Sequence, residues 1–470
     1  MKKISLLIGL LVIVFAATAY AQPIEFKMSG MMDFVAATFR NIPSSSGTMA
    51  FGEGTEIDPA LGNNDKAGAL ANSRARLKFQ AMAGKEISAT IFFEMDSATW
   101  GDANGTRNSM GYWNADRAAV EVKHAFFDVG VPYFGVPVPM TVRLGIQPLS
   151  IRDSWFLYVD GAGIVVQMKP DPVKINLAWM KPYEGKVYNS DDADMYAIDV
   201  SGTIEGFTLG AHGSYMNINE YGIPTSVTAV GTQANAQADF YWLGAYADGK
   251  YAGFNFNFDF IYDNGKVKNI NGTDYKANGW LAALGVDFPW ENWDFGGGLW
   301  YATGSDANKD DEKAFVSPPG SEPGPDAFTK YSSVYFGSGL FRGEYGYAAN
   351  GSRNAIGNGI GGTWGAMAYA GLKVNPWYQV YLHGMYIADT TKNGNTVGNA
   401  RDAGAGELSD DNGIGLEFTL SNIFKVYKNL DLYVIGGYLF AGDALDMWDG
   451  TENTSIKDPY VLATRLVYSF

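Results

Sequence analysis

Apolar and polar residues alternate with a period of two over many short segments of the chain. Phenylalanine occupies every even position from Phe254 to Phe260, and asparagine or aspartate fills the odd positions between them. Successive side chains of a strand point to opposite faces, so such a segment has one aromatic face and one polar face. The same alternation recurs at 24–36, 74–82, 87–96, 141–147, 173–179, 207–215 and 430–440. The pattern predicts an all-β protein, either a soluble sandwich or a barrel in a membrane.

The links between these segments decide between the two architectures. Short turns rich in Pro, Gly, Asn and Asp lie at 83–86, 169–172, 204–207, 247–250, 289–292 and 374–377. Long polar links alternate with them, at about 41–71, 98–116, 150–161, 183–192, 218–235, 264–275, 305–361, 389–410 and 442–456. Short links at one end and long links at the other are typical of a transmembrane antiparallel up-and-down β-barrel.

The number of long links predicts the number of strands. Nine long links alternate with pairs of strands, which indicates 18 strands. One misread segment would leave 16. The link at about 305–361 contains DANKDDEK and SPPGSEPGP, which a packed element would not tolerate. We therefore expect it to be a long external loop.

The first 21 residues have the layout of a secretory signal peptide. Lys2 and Lys3 precede an apolar stretch at 4–17, and Ala19-Tyr20-Ala21 supplies the small-x-small cleavage pattern. We expect cleavage after Ala21 and a single barrel domain over 22–470. Beyond this segment the sequence has no run of about 20 apolar residues that would predict a helical membrane span.

Composition narrows the function classes. Aromatic residues make up 14% of the chain and glycines number 58, which suits a β protein with aromatic belts. Cysteine is absent, which excludes disulfides, thiol chemistry and cysteine metal sites. The net charge of −16 argues against nucleic acid as a partner.

The final strand carries the most specific motif. YVLATRLVYSF (460–470) alternates apolar and polar residues and ends on an aromatic pair, Tyr468 and Phe470. With the signal peptide and the link layout, this ending resembles the bacterial outer-membrane porins of the 16–18-stranded trimeric type. The resemblance implies a water-filled channel in the cell outer membrane for passive diffusion of ions and small hydrophilic solutes. It also implies a homotrimer, contact with outer-membrane lipid and lipopolysaccharide, and a carboxyl-terminal signal read by the barrel-assembly machinery.

A pore constriction is also implied by this resemblance. Strand parity places a basic row on the inward face, formed by Arg74, Arg76, Lys78, Lys123 and Arg143. Inward-facing Glu94 and Asp96 lie between these strands. The link at about 148–162 exposes apolar residues unless it folds back into the barrel, as the third long loop of porins does. By resemblance, its Asp153 and Asp160 would oppose the basic wall across a narrow gap.

Other functions are less well supported. Three histidines, His124, His212 and His383, lie far apart without ligand-like spacing, so we expect no metal, no cofactor and no catalytic site. A selective porin for sugars, phosphate or organic anions remains the main alternative. An enzyme barrel would need a clustered nucleophile and base, and an adhesin barrel remains open because of the long 305–361 link. Aromatic residues beside short turns, Trp290, Trp293, Trp377 and Tyr378, predict an interfacial girdle.

Overall fold

The structure is a computed structural model, and it describes residues 23–41, 67–102, 110, 118–131, 138–153, 155–185, 191–219, 237–270, 273–308, 313–318, 321, 332–336, 360–402, 406–448 and 450–470. The expected signal peptide, 1–21, lies outside the described residues. No helix in the described part of the chain is long and apolar enough to cross a membrane.

The described chain consists almost entirely of β-strands. In chain order they are β1 (Ile24–Arg40), β2 (Ala67–Ala83), β3 (Ile87–Thr99), β4 (Glu121–Gly130), β5 (Met140–Ile151), β6 (Leu157–Met168), β7 (Val173–Tyr183), β8 (Ala193–Ile204), β9 (Phe207–Ile218), β10 (Gln237–Tyr251), β11 (Phe254–Ile270), β12 (Thr273–Trp290), β13 (Trp293–Ala302), β14 (Thr363–Asn375), β15 (Tyr378–Asp389), β16 (Gly413–Tyr427), β17 (Leu430–Ala441), β18 (Met447–Trp448), β19 (Asn453–Thr454) and β20 (Tyr460–Ser469). One 3₁₀ turn, Asp443–Leu445, precedes the small β18–β19 hairpin.

Eighteen strands, β1–β17 and β20, form one closed antiparallel barrel, which confirms the predicted fold class and the higher of the two strand counts. Each strand pairs with its sequence neighbours, and β20 closes the ring by pairing with both β17 and β1. At this seam the buried carboxylate of Asp33 accepts a hydrogen bond of 2.8 Å from Arg465. Phe470 exchanges backbone hydrogen bonds with Gly30, so the last residue is part of the closure.

Short turns join the strands at one end of the barrel, hereafter the turn end. In the two-residue turns Glu205–Gly206 and Ala252–Gly253, both residues have positive φ, between 50° and 88°. Positive φ at both positions gives the type I′ geometry that matches the twist of paired strands. The long links leave from the other end, hereafter the loop end. The prediction of a long link at about 264–275 is wrong, because β11 extends to Ile270 and β12 already begins at Thr273.

The outer surface of the barrel is apolar. Phe254, Phe258 and Phe260 of β11 are each about 40% exposed, and Phe26 of β1 is 77% exposed. Soluble monomers rarely expose contiguous apolar patches of more than a few hundred Å². An exposed band contributed by nearly every barrel strand is therefore the surface expected in contact with lipid.

Aromatic side chains border this band at both ends. At the turn end, Trp290, Trp293 and Trp377 are between 39% and 57% exposed, and Tyr378 stacks on Phe424. Towards the loop end, seven consecutive strands, β7–β13, each place one ring on the outer face. We call these the outer aromatic row: Trp179, Tyr196, Tyr215, Tyr241, Tyr262, Trp280 and Tyr301.

Candidate functional site

The inward face of the barrel wall changes character between its two ends. On β11 it presents Asn255, Asn257 and Asp259 near the turn end, and then Ile261 and Asp263, both fully buried. Fully buried residues that point into a barrel must be covered by other parts of the chain. The interior at the loop end is therefore partly filled by inward-folded links, whereas polar side chains line the turn end.

The link between β5 and β6 is one of these inward-folded segments. Trp155 and Phe156 are 1% and 0% exposed. The ring of Phe156 stacks on inward-facing His212 of β9 at 4.8 Å and packs against Trp242 of β10 at 5.8 Å. The apolar residues of this link are thus covered by the inner wall of the barrel.

The β13–β14 link also enters the barrel, in contrast to the external loop expected from its polar composition. Its described residues 313–318 and 332–336 include Phe315 and Val334, both fully buried. The indole nitrogen of Trp242 donates to the carbonyl of Val316 at 2.8 Å, and the amide of Val316 donates to Asp263 at 3.2 Å. Residues 303–308, 321 and 360–362 of this link are also described, and the remainder lies outside the described residues.

A second buried carboxylate, Glu417 of β16, holds the 332–336 segment. Its Oε1 accepts hydrogen bonds from the amides of Ser333 and Val334, and its Oε2 accepts one from the amide of Tyr335. The hydroxyls of Thr419 and Ser332 also donate to it, at 2.9 and 3.1 Å. Several donors compensate the cost of burying this charge. Asp263 and Glu417 therefore fix two parts of one link to the inner wall.

Three members of the predicted basic row, Arg74, Arg76 and Lys123, form a continuous ion-pair network with acidic residues on the wall of β2, β3, β4 and β6. Arg76 Nε lies 2.5 Å and Lys123 Nζ 3.0 Å from Glu94, which is 2% exposed. Arg74 binds Asp96 through Nε at 2.8 Å and a second contact through Nη2. Most of the acidic partners thus lie on the same wall as the basic row.

Asp160 also belongs to this wall. It lies in strand β6 rather than in a loop, and it binds Lys123 Nζ at 2.7 Å and His124 Nε2 at 2.8 Å. Both neighbours reach it because a register shift between β3 and β4, where Phe92 pairs with His124 and Phe93 with Val122, leaves Lys123 without a direct partner. A bulge of this kind redirects side chains and interrupts the strict alternation of faces along β4 at Lys123 and His124.

The remaining predicted site residues are dispersed. Arg143 pairs with Asp128 of β4 at 2.7 Å, away from the Glu94 network. Lys78 lies on the wall without an ion-pair partner among the described residues. Asp153 lies on the β5–β6 link and is exposed.

Arg152 of the β5–β6 link reaches across the lumen to the opposite wall. The sequence analysis did not assign this residue to the site. Its guanidinium binds Asp248 of β10 at 2.6 Å and Asp259 of β11 at 2.7 Å, and it lies over the ring of Tyr246 at 4.3 Å. Burial alone would lower the pKa of Arg152, but the hydrogen bonds that it donates to Asp259 and Asp248 raise it, so the cation is retained. The link thus carries a cation to an acidic wall, the reverse of the expected sign.

A polar cavity of about 430 Å³ opens at the turn end of the lumen. Asn255, Asp287, Asp294, Tyr369, Lys373 and Gln379 are among the inward-facing residues that line it. The ring of Tyr369 lies over Gly296, where a β-carbon would be 2.3 Å from its Cε1 atom. Glycine at this position therefore allows Tyr369 of β14 to reach Asp287 of β12, to which its hydroxyl donates a hydrogen bond.

Comparison with solved structures gives the same architecture. The chain is similar to three proteins of Pseudomonas aeruginosa: OccK8 (OprE), with 9% identity and a TM-score of 0.53; OpdQ, with 8% and 0.52; and OccK11 (OpdR), with 9% and 0.50. The matches cover 95% of this chain and 96–98% of theirs. At such low identity the likeness is one of fold, and it confirms the predicted resemblance to porins at that level.

The chain matches no protein-family model, and no curated protein matches its sequence.

Proposed function

We propose that this chain is an outer-membrane porin that forms a water-filled channel for passive diffusion of ions and small hydrophilic solutes. The observation that carries the proposal is a closed 18-stranded barrel with an apolar outer surface and a charged inner wall. Backbone groups in lipid must all be paired, and a closed barrel satisfies this requirement without an edge strand. The porin fold of the similar structures supports the same function.

The orientation follows from the link lengths. Short turns face the periplasm and long links the outside in barrels of this type. We assign residues 1–21 to a signal peptide cleaved after Ala21. Tyr468 and Phe470, each 46% exposed on the outer face, are the residues offered to the barrel-assembly machinery. Outer-membrane lipid, lipopolysaccharide and two further copies of the chain in a homotrimer are the partners proposed for the outer surface.

The inward-folded links favour a second candidate, a substrate-selective porin. Phe156 and the segments held by Asp263 and Glu417 occupy part of the lumen at the loop end, so a solute must pass beside them. Charged groups lie on both sides of the passage. One side carries the network of Arg74, Arg76 and Glu94, and the other carries the acidic wall bound by Arg152. Together they create an electric field across the passage. Such a field favours small polar solutes over apolar ones and biases the passage of ions.

Ion selectivity in planar bilayers tests this constriction. Replacing Arg74 and Arg76 by glutamine removes two positive charges from the wall while Glu94 and Asp96 remain. We expect the reversal potential in a salt gradient to shift towards cation selectivity. The matched control is Lys85→Gln with Lys428→Gln, the loss of two exposed positive charges at short turns. Equal reversal potentials in the double variant and the wild type would contradict a constriction at this wall.

A further inference from the structure

The outer face of β11 and β12 carries lysines beyond the outer aromatic row, towards the loop end. Lys266 and Lys268 follow Tyr262 on β11, and Lys276 precedes Trp280 on β12. All three have the parity of the outward aromatic residues, and the inward-facing residues between them, such as Val267 and Ala277, are buried. The lysines therefore point away from the lumen.

Their height along the barrel corresponds to the headgroup region of a bilayer. Interfacial tyrosine and tryptophan rings sit at the boundary between hydrocarbon and headgroups. Lys266 is four residues beyond Tyr262, which is about 13 Å along a strand and about 10 Å along the membrane normal for a strand tilted by 35–45°. This inference rests on the proposed membrane orientation, in which the loop end faces outward.

Two of the lysines face each other directly. Lys266 and Lys276 are antiparallel partners in the β11–β12 register. Like charges at such positions are destabilising, since the β-carbons are only about 4.5–5.5 Å apart. Lys266 has one carboxylate neighbour, Asp274, whereas Lys276 has no ion-pair partner in the part of the chain that the structure describes. An anion placed between the two ammonium groups would remove the repulsion.

The third lysine is held in a fixed position beside them. Lys268 Nζ lies 2.9 Å from Asp239 of β10, and Asp239 also accepts hydrogen bonds of 2.9 Å from Tyr215 and Asn217 of β9. Tyr215 belongs to the outer aromatic row and stacks on Tyr241 at 4.7 Å. The charged positions are thus tied to the rings that define the membrane boundary.

We propose that Lys266 and Lys276 bind the phosphate of an outer-leaflet lipid headgroup, with Lys268 as a flanking cation. A phosphate monoester carries a charge of about −1.5 to −2 and three acceptor oxygens, enough to bridge two ammonium groups. The outward direction of the side chains and their position above the aromatic row select a membrane lipid rather than a soluble anion. The exposed rings of Tyr241 and Trp280 would contact the acyl region of the same lipid.

Native mass spectrometry of the detergent-solubilised protein tests the site, with lipid A and phosphate-free lipid A as the two probes. We expect the wild type to bind the phosphorylated form more tightly. Lys266→Gln with Lys276→Gln should weaken that binding roughly 30-fold, the equivalent of about 2 kcal/mol at about 1 kcal/mol per lysine. Replacement of the same two residues by arginine should retain it. Lys85→Gln with Lys428→Gln, an equal charge change at short turns, is the matched control.

Two results would overturn the proposal: equal binding of both lipids by the wild type, or equal affinity in the glutamine variant and the control. Channel conductance of the same preparations separates this failure from that of the porin function. A protein that conducts in bilayers but binds both lipids alike contradicts the lysine site alone. A protein that does not insert into bilayers contradicts the membrane orientation on which the site depends.

Discussion

Glu417 provides the sharpest test of the inward-folded β13–β14 link. The side chain is 0% exposed and accepts hydrogen bonds from five donors, three at Oε1 and two at Oε2. Glu417→Gln removes the charge and replaces one oxygen with an NH₂ group. With the NH₂ group at Oε1, the amides of Ser333 and Val334 face another donor, and with the NH₂ group at Oε2 the amide of Tyr335 does. The hydroxyls of Ser332 and Thr419 can turn to accept instead.

The cost of this change can be estimated from the contacts. A hydrogen bond to a charged group contributes about 1.5–3 kcal/mol, so the loss of one or two gives about 1.5–6 kcal/mol. This energy favours release of the 332–336 segment by roughly 10–10⁴-fold, at about 1.4 kcal/mol per factor of ten. The barrel strands themselves keep their backbone pairing, so the variant should still fold as a barrel.

Single-channel recording in planar bilayers measures the consequence. We expect Glu417→Gln to show a larger or fluctuating open conductance, whereas Glu407→Gln, the same change at an exposed loop residue, should match the wild type. Ser333 and Thr419 hydroxyls lie 2.8 Å apart, and the chain has no cysteine, so cysteines at these two positions can cross-link the segment to β16. Oxidation should return the variant to wild-type conductance. Unchanged conductance in Glu417→Gln, with or without the cross-link, would refute the anchoring role.

Two further predictions concern the barrel wall. Phe258→Arg should destabilise the barrel in lipid vesicles by about 2–4 kcal/mol at a position near the bilayer midplane. Asn257→Arg on the inner face should be nearly neutral. Equal free-energy costs of the two changes would contradict the assigned faces. Gly296→Ala places a β-carbon 2.3 Å from Tyr369. It should therefore lower the unfolding free energy by about 1–3 kcal/mol. The measurement is the heat-induced loss of the compact, folded barrel. Gly202→Ala, with its nearest neighbour at 3.8 Å, is the control, and an equal loss there would contradict the steric account.

Much of the barrel follows from local sequence rules. The two faces of β11 were predictable from the alternation between Phe254 and Phe260, because strand geometry sends neighbouring side chains to opposite sides. The strand count followed from the alternation of short and long links, because each long link joins two strands at the loop end. These signals depend only on neighbouring residues, so no knowledge of distant contacts was needed.

The candidate site depended more on distant contacts and irregular geometry. Strict alternation would send the neighbouring residues Lys123 and His124 to opposite faces, but the bulge beside Lys123 turns both side chains towards Asp160. Arg152 pairs with Asp259, 107 residues away, and no local pattern indicates that partner. The inward position of the 313–318 segment depends likewise on Asp263 of a remote strand. Its polar flanking sequence does not indicate on which side of the wall the segment lies.

Conductance of the purified wild-type protein in a planar lipid bilayer tests the central claim most directly. A closed barrel with an apolar outside and a wet, charged inside should insert and produce discrete current steps in simple salt solution. Protein that is shown to be inserted and folded but leaves the bilayer electrically sealed would contradict a water-filled channel.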